Sequence, residues 1–192
     1  CTGVSFLINH NSIFSNFEKA FEIFGRCLAF KLSFNKTIAL VVGIYAPAKA
    51  TFRPTFFEQV HEKITETINF TEIFLIGDFN CVEDPSLDRF PKRRNIMGQG
   101  ILVSNRLKSS FELEDPFRLF EPKKELFTFS SYRNSFSRID KIYVTPEILT
   151  NYISTQVHSI TDIQHKLLIT FFNLSTQKSF GPSFLNMNTS II

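Results

Sequence analysis

The sequence contains only three cysteines and no apolar run long enough to cross a membrane. Cys1, Cys27 and Cys81 are widely spaced and form no CxxC pair, which argues against a disulfide scaffold and against a thiolate zinc site. The longest apolar runs, such as 38–45 and 167–172, fall well short of the roughly 20 residues that a transmembrane helix needs. We therefore expect an intracellular protein, in the cytoplasm or nucleus, without a membrane span.

The charge of the chain is nearly balanced, with 21 Lys and Arg against 18 Asp and Glu and a net charge of +3. This excess is too small to indicate a nucleic-acid-binding protein by itself. Basic residues cluster at 92–94 and 123–124; such clusters usually belong to solvated loops, and phosphate contact is the alternative interpretation. With 192 residues, 43% hydrophobic and 20% charged, the chain has the composition of a soluble globular domain.

Hydrophobic periodicity predicts sheets that are covered by helices. Residues 4–8 form a short apolar run, residues 27–34 alternate with period two, and residues 38–45 are continuously apolar, as in a strand buried on both faces. Apolar residues after Pro54 recur every three or four positions and predict a helix. Later segments predict strands at 73–76, 127–130, 139–144, 157–160 and 167–172, and helices at 101–111 and 148–153. This mixed order predicts an α+β fold, with a domain over 1–172 and a polar tail over 173–192.

The first candidate site is the motif LIGDFN at 75–80. An apolar strand leads into Gly77, and Asp78 and Asn80 are expected to leave the same face about 6.6 Å apart while Phe79 points into the core. An ionised Asp binds a hard cation or accepts a proton, and Asn donates to an oxyanion. The alternative is an Asx turn, in which these side chains bind their own backbone.

The second candidate site is the motif SRID at 137–140. Asp140 begins an apolar strand and is costly to bury without a partner. His165, at the start of another predicted strand, is a suitable partner, because a carboxylate that accepts from one ring nitrogen leaves the other nitrogen for a phosphate or a leaving group. The alternative pairs Asp140 with Arg138 and leaves His165 on the surface.

Taken in order, GIYAP at 43–47, IGDFN at 76–80, SRID at 137–140 and a His before an apolar strand resemble the endonuclease/exonuclease/phosphatase superfamily, whose fold is DNase I-like. More narrowly, the chain resembles the apurinic-endonuclease-like endonuclease domain of LINE-type non-LTR retrotransposons. LEDPFR at 113–118, followed by FTF at 127–129, is similar to the stretch before that family's RID strand. Residues 181–192 look like the segment that joins such endonucleases to their reverse transcriptase. The resemblance implies a four-layer α/β/β/α sandwich and phosphodiester cleavage with Mg²⁺.

The resemblance also implies catalytic roles for five residues. Asp78 would activate the attacking water, Asn80 would hold the scissile phosphate, and Tyr45 would contact that phosphate. Asp140 would orient His165 toward the developing negative charge. These roles agree with the chemistry of the two motifs, since a metal ion and an imidazolium both stabilise an oxyanion in the transition state.

Three residues are expected to bind DNA. Thr128 and the turn at 132–135 match the hairpin that approaches DNA in such endonucleases. Arg133 and Arg138 would add phosphate contacts that do not depend on the base sequence.

The chain departs from the family pattern at three points, which bear on whether its fold and its metal site are complete. The strands that carry an Asn and the metal-binding Glu in the family precede the point to which Cys1 corresponds. Gln164 stands where the family has an Asp. Asp162 lies two residues earlier on the same face, and a shift of about 6.6 Å along the strand would be needed for it to replace Gln164. The missing strands also predict an uncovered sheet edge and a hydrophobic gap. We therefore expect an N-terminally truncated chain with an incomplete metal site and weak or absent catalysis.

The sequence thus predicts a Mg²⁺-dependent DNA endonuclease of retrotransposon type, impaired in this chain, monomeric, and part of a longer polyprotein with a reverse transcriptase. One alternative keeps the fold and changes the substrate to a small molecule or a lipid headgroup, as in a phosphatase or phosphodiesterase. The other is a remnant that holds nucleic acid without cutting it. The arginines near the RID motif and the tail favour DNA.

Overall fold

The computed structural model describes residues 3–9, 11–92, 99–132, 134–161, 163–174 and 184–186. The strands of this part of the chain are β1 (Ser15–Ile23), β2 (Cys27–Phe34), β3 (Thr37–Tyr45), β4 (Glu72–Asp78), β5 (Arg89–Phe90), β6 (Phe129–Ser130), β7 (Phe136–Ser137), β8 (Asp140–Val144), β9 (Tyr152–His158), β10 (Leu167–Phe172) and β11 (Phe184–Asn186). The helices are α1 (Arg53–Glu66), α2 (Gln99–Ser110), α3 (Pro116–Phe120) and α4 (Pro146–Leu149), and a single 3₁₀ turn, Ala50–Phe52, precedes α1. Among the described residues, no helix combines the length and the apolar character that a bilayer crossing requires.

A five-stranded mixed sheet forms the centre of the fold, in the order β1-β2-β3-β4-β8. β3 and β4 run parallel and are connected through α1, while the other neighbouring pairs are antiparallel. β4 is buried along its whole length and β3 along most of it, because both faces of these central strands are covered. The strands predicted at 27–34, 38–45 and 73–76 and the helix after Pro54 are confirmed.

The two faces of this sheet line separate apolar cores. One face packs against α1 and α2, where Phe57 of α1 and Leu75 of β4 are both fully buried. The opposite face, called the cleft face below, packs against a second sheet in the order β11-β10-β9. There the ring of Phe74 on β4 meets that of Phe172 on β10 edge to face, with centroids 5.8 Å apart.

The described residues thus form three layers, one of helices and two of β-sheet, which is compatible with the expected four-layer sandwich. No helix as long as α1 covers the outer side of the second sheet in the described ranges, and Ile153 on β9 is 59% exposed. A small third sheet, in the order β5-β7-β6, leads into β8. Its outer strand β6 is bridged to the loop before β10, between Phe129 and His165.

The N-terminal region differs from its prediction. Residues 4–8 form no strand, and Phe6 instead lays its ring edge to face on Phe30, with centroids 5.5 Å apart. The first strand is β1, which periodicity missed because two register shifts interrupt its pairing with β2 and its apolar alternation. Phe6 and Phe14 pack against the core of the cleft face.

The C-terminal third also differs from its prediction. The helix expected over 148–153 ends at Leu149, and Tyr152 already begins β9, which is longer than the strand predicted at 157–160. In the tail, β11 pairs antiparallel with β10. Most of residues 173–192 lie outside the described ranges, so the boundary between domain and tail stays a prediction.

Candidate active site

The register of the central sheet brings three of the predicted site residues into one row. Tyr45, at the end of β3, is the cross-strand partner of Asp78, at the end of β4. Asp78 is in turn the partner of Asp140, the first residue of β8. Because cross-strand partners point to the same side of a sheet, the two carboxylates and the phenol share one face.

That face is the cleft face. Along β4, Phe74 and Ile76 belong to the core between the two sheets, and Asp78 follows them with the same period of two. Along β8, Ile142 does the same for Asp140. The row therefore lies at the edge of the cleft between the sheets, where the apolar core gives way to polar side chains.

The motif after β4 forms an Asx turn and an interstrand contact at once. The backbone N–H of Asn80 donates to Asp78 Oδ1 at 2.7 Å, and Asn80 adopts a φ of 48°, a left-handed conformation that Asn tolerates. The side-chain amide of Asn80 donates to Asp78 Oδ2 at 2.9 Å and to the carbonyl of Ala46 at 2.8 Å. Asn80 thus orients Asp78. The predicted contact of Asn80 with a phosphate would require one of these two side-chain hydrogen bonds to break. Phe79 is fully buried, as predicted.

His165 pairs with Asp140, as the sequence predicted. Its Nδ1 lies 3.2 and 3.1 Å from the two carboxylate oxygens of Asp140, and its ring meets that of Phe129 edge to face. Burial alone would lower the pKa of His165, but the hydrogen bond and charge of Asp140, together with Asp78, raise it above its usual value. The imidazolium form is therefore favoured over the neutral ring.

Asp78, Asp140 and His165 form a compact cluster, with one carboxylate oxygen or ring nitrogen of each within 4.8 Å of the others. The imidazolium form of His165 offers no lone pair to a metal, so the two carboxylates are the ligands available to a divalent cation. Burial, and then the neighbouring charge of Asp140, raise the pKa of Asp78 to about 7, although the Asn80 backbone N–H, His165 and Arg53 act in the opposite direction. Two buried carboxylates side by side favour a cation between them, since Mg²⁺ sites commonly use one or two protein carboxylates and several waters.

Thr128 is placed differently from its predicted DNA contact. The side chain is fully buried, and its hydroxyl accepts hydrogen bonds from the backbone N–H groups of Ile139, at 3.2 Å, and Asp140, at 3.0 Å. The structure corrects the prediction, because this hydroxyl holds the start of β8 and therefore positions Asp140.

Arg138 also requires a correction. Its guanidinium is 3% exposed, with Nε donating to Asp88 at 3.0 Å and Nη2 to Asp115. Asp88 in turn binds Arg118. Arg138 therefore neither contacts DNA phosphates nor pairs with Asp140, and no sequence motif marked Asp88 as its partner. Arg133 lies outside the described residues.

Gln164 precedes His165 in the loop before β10. Its backbone carbonyl accepts from the N–H of Ser130 at 2.9 Å, which ties the loop before β10 to β6. Together with Ser130, Ser131, Tyr132 and Ile163 it lines an open pocket of about 270 Å³. A neutral amide thus occupies the position where the family resemblance predicts a carboxylate.

A buried charge network supports the back of the site, and sequence patterns did not reveal it. The ammonium of Lys141 is fully buried, donates to the carbonyl of Cys81 at 3.0 Å and lies 3.5 Å from Glu83. Glu83 also pairs with Lys108 of α2 at 2.6 Å and accepts from the hydroxyl of Tyr143. Burial alone would raise the pKa of Glu83, but the two ammonium groups and the hydrogen bonds lower it to about 2.

No protein-family model matches the chain, but solved structures do. An AP endonuclease from Archaeoglobus fulgidus superposes with a TM-score of 0.67 at 16% identity, over 84% of this chain and 72% of that chain. The 3′-5′ exonuclease NExo from Neisseria meningitidis gives 0.62 at 17% identity, again over 84% and 72%. The AP endonuclease LMAP from Leishmania major gives 0.61 at 15% identity, over 74% of this chain and 53% of that chain.

Identities this low identify a shared fold and leave function to be argued from the site. The chain has the α+β fold of the DNase I-like AP endonucleases, as its motifs predicted.

Proposed function

We propose that this chain carries the site of a divalent-metal-dependent phosphodiesterase of the DNase I-like superfamily that acts on DNA, with a weakened metal site. The observation that carries the proposal is the convergence of Asp78, Asp140 and His165 within 4.8 Å at one sheet edge. Their partners Tyr45 and Asn80 complete a set of groups suited to a phosphate and an attacking water. The neighbouring nucleases of the same fold agree with this substrate class.

Each residue has a distinct task in the proposed reaction. Asp78 accepts a proton from the attacking water, with Asn80 holding the carboxylate in place. Asp140 keeps His165 protonated, so that the imidazolium binds the phosphate oxygen on which negative charge develops. Asp78 and Asp140 are the residues that would hold Mg²⁺, and the bound ion supplies Lewis-acid polarisation of the phosphate.

The hydrogen bonds that Asp78 and Asp140 already make limit how strongly a cation binds. Both oxygens of Asp140 face His165 Nδ1, and both oxygens of Asp78 accept from Asn80. Gln164 adds no negative charge beside them. The remaining donor set is small for an ion that dehydrates reluctantly, so we expect low metal affinity and slow turnover.

We extend the proposal to an endonuclease of LINE-type retrotransposons, acting as a monomer within a longer polyprotein that includes a reverse transcriptase. The DFN and RID motifs and the tail support this narrower type. A second candidate function is DNA binding without cleavage, which is favoured by the occupied carboxylate oxygens and by the amide of Gln164.

The test compares nicking of supercoiled plasmid by the wild type and by Gln164→Asp, each with Mg²⁺ or Mn²⁺. We expect no detectable open circles from the wild type with Mg²⁺ and slow nicking by Gln164→Asp, because the new carboxylate completes the cation site. Gln164→Asn is the matched control and should stay inactive. Adding Asp78→Ala to Gln164→Asp should abolish the nicking.

The outcome distinguishes the two candidates. Absence of nicking in both proteins, together with duplex binding that weakens steeply with salt, would favour binding without cleavage. Nicking that persists in the Asp78→Ala variant would contradict the proposed site, because the reaction would then not use its central carboxylate.

A further inference from the structure

The pairing of β4 with β8 places a lysine ammonium beneath the loop that carries Asn80. Lys141 follows Asp140 on β8, and its cross-strand partner is Gly77, which has no side chain. Along β8, Tyr143 belongs to the core under the helices, so Lys141 points to that side while Asp140 points to the cleft. The stem of Lys141 therefore runs behind the row of site residues, inside the core.

The ammonium of Lys141 holds the loop directly after the DFN motif. It donates to the carbonyl of Cys81 at 3.0 Å, and the residue is fully buried. The cation also lies 5.5 Å from the ring centroid of Phe79, the buried residue between Asp78 and Asn80. One side chain of β8 thus contacts the loop on both sides of Asn80.

Two lysines share the carboxylate of Glu83, but only one of them holds the loop. A buried ammonium is costly without a negative partner, and Glu83 lies 3.5 Å from Lys141 and 2.6 Å from Lys108. Lys108 also lies over the ring of Tyr143, 4.8 Å from its centroid. The described residues show no hydrogen bond from Lys108 to the backbone of 78–82. Neutralising Glu83 and holding the loop are therefore separable roles.

The held carbonyl fixes a backbone conformation that is unfavourable by itself. Asn80 has a φ of 48°, in the left-handed region, which residues other than glycine adopt at a cost in free energy. This backbone directs the N–H of Asn80 at Asp78 Oδ1, at 2.7 Å. Because Cys81 is the next residue, releasing its carbonyl would leave a buried acceptor without a donor and would let the chain leave this conformation.

We propose that Lys141 is a positioning residue of the site: it holds Asn80 in the left-handed conformation, and Asn80 in turn holds Asp78. The inference rests on the proposed function and deepens it, because it separates the two contacts of Asn80 with Asp78. The backbone N–H stays on the carboxylate while Lys141 holds the loop, so the side-chain amide can turn to a phosphate without releasing Asp78. Lys141 thereby acts on the reaction from the core, without touching DNA.

NMR of Asn80 in the protein without metal tests this role. We expect Lys141→Met to shift the backbone N–H of Asn80 upfield, because its short hydrogen bond to Asp78 is lost. Hydrogen exchange of this N–H should become several-fold faster relative to the amides of β3. Lys108→Met is the matched control, since it removes an equal charge from Glu83 and leaves the loop held. Its Asn80 signals should equal those of the wild type, even where both variants lose stability.

A measurement on the wild type does not depend on how the variants fold. The protons of a buried, hydrogen-bonded ammonium exchange slowly enough for its nitrogen–proton signal to be observed, unlike those of an exposed lysine. We expect such a signal for Lys141, with a scalar coupling from Nζ to the carbonyl carbon of Cys81. Lys36, exposed in the turn between β2 and β3, is the internal reference and should give no such coupling.

Equal Asn80 signals in Lys141→Met and Lys108→Met, or no coupling between Lys141 and Cys81 in the wild type, would overturn the positioning role and leave the proposed function intact. Failure of the proposed function is distinguishable from this result. Nicking by Gln164→Asp that persists after Asp78→Ala would contradict the site, whatever the Asn80 signals show.

Discussion

At the scale of single residues, the hydroxyl of Thr128 shows how a side chain with no chemical role positions the site. It is the acceptor for two buried backbone N–H groups at the start of β8, those of Ile139 and Asp140. Without it, both groups would lose their hydrogen bonds in a region that water does not reach. The orientation of Asp140, and through it of His165, depends on this acceptor.

We predict that Thr128→Val lowers the free energy of unfolding by about 2 kcal/mol, because a methyl group of the same shape leaves the two N–H groups unsatisfied. Urea denaturation measures the change. Thr128→Ser keeps the hydroxyl and serves as the control, with a smaller loss. Equal stability of the wild type and Thr128→Val would show that the two N–H groups have other partners.

The pairing of His165 with Asp140 makes a second prediction at this scale. Protonated His165 stabilises the fold below the pKa of the unfolded chain, and this contribution disappears as the pH rises through the higher pKa of the folded state. Asp140→Asn should lower the pKa of His165, since burial then acts against a weaker partner. Histidine NMR titration in the presence of EDTA measures both proteins. An unchanged pKa in Asp140→Asn would contradict the assigned ion pair.

At the scale of secondary structure elements, the contact between β3 and β4 depends on the absence of a side chain at one position. Gly77 has a φ of 136°, and a Cβ built there lies 2.0 Å from the carbonyl oxygen of Ile44. The two strands approach this closely one residue before Tyr45 and Asp78, so the glycine sets the spacing of the site row. The sequence marked Gly77 as the end of a strand, and the register explains why a glycine is required there.

We predict that Gly77→Ala destabilises the protein by about 2 to 5 kcal/mol, because the new methyl group collides with backbone that cannot move without breaking the pairing of β3 and β4. Thermal unfolding followed by circular dichroism measures the loss. Gly3→Ala is the control, since nothing lies within 4 Å of a Cβ there. A variant Gly77→Ala as stable as Gly3→Ala would contradict the close approach.

Element prediction succeeded where one pattern covered a whole strand and failed where the pattern was interrupted. β2 and β3 were predicted to within one residue and α1 near its first residue, because each has an uninterrupted period or an unbroken apolar run. The shifts in register conceal β1, and the residues at 148–153 combine one turn of helix with the first residues of β9. Periodicity over so few residues does not separate a helix from a strand.

At the scale of the whole molecule, Glu83 joins three parts of the fold. It binds Lys108 of α2 and lies close to Lys141 and Tyr143 of β8, while following β4 by only a few residues. Its pKa of about 2 in the folded state lies below the ordinary value of 4.5. The ionised carboxylate therefore stabilises the fold above pH 4.5, and this contribution is lost as the pH falls toward 2.

We predict an acid-induced loss of about 3 kcal/mol across this window, which is the free energy that corresponds to the difference between the two pKa values. Urea denaturation at pH 7, 4.5 and 3 measures it. Glu83→Gln should be less stable at pH 7 and should lose that part of the pH dependence. Glu121→Gln removes a half-exposed ion pair with Lys124 and should leave both quantities nearly unchanged. Parallel pH profiles for wild type and Glu83→Gln would contradict the network.

The sequence by itself determined the strands and helix that carry the site and the α+β fold class, which follow from local periodicity. It left His165 and Arg138 as alternative partners of Asp140, and the structure selects His165. Only the tertiary structure showed which groups Thr128 and Arg138 bind, because their partners, Ile139 and Asp88, lie far from them in sequence. It also placed Tyr45, Asp78 and Asp140 in one row, because strand register, unlike strand identity, depends on contacts between segments that no local pattern records.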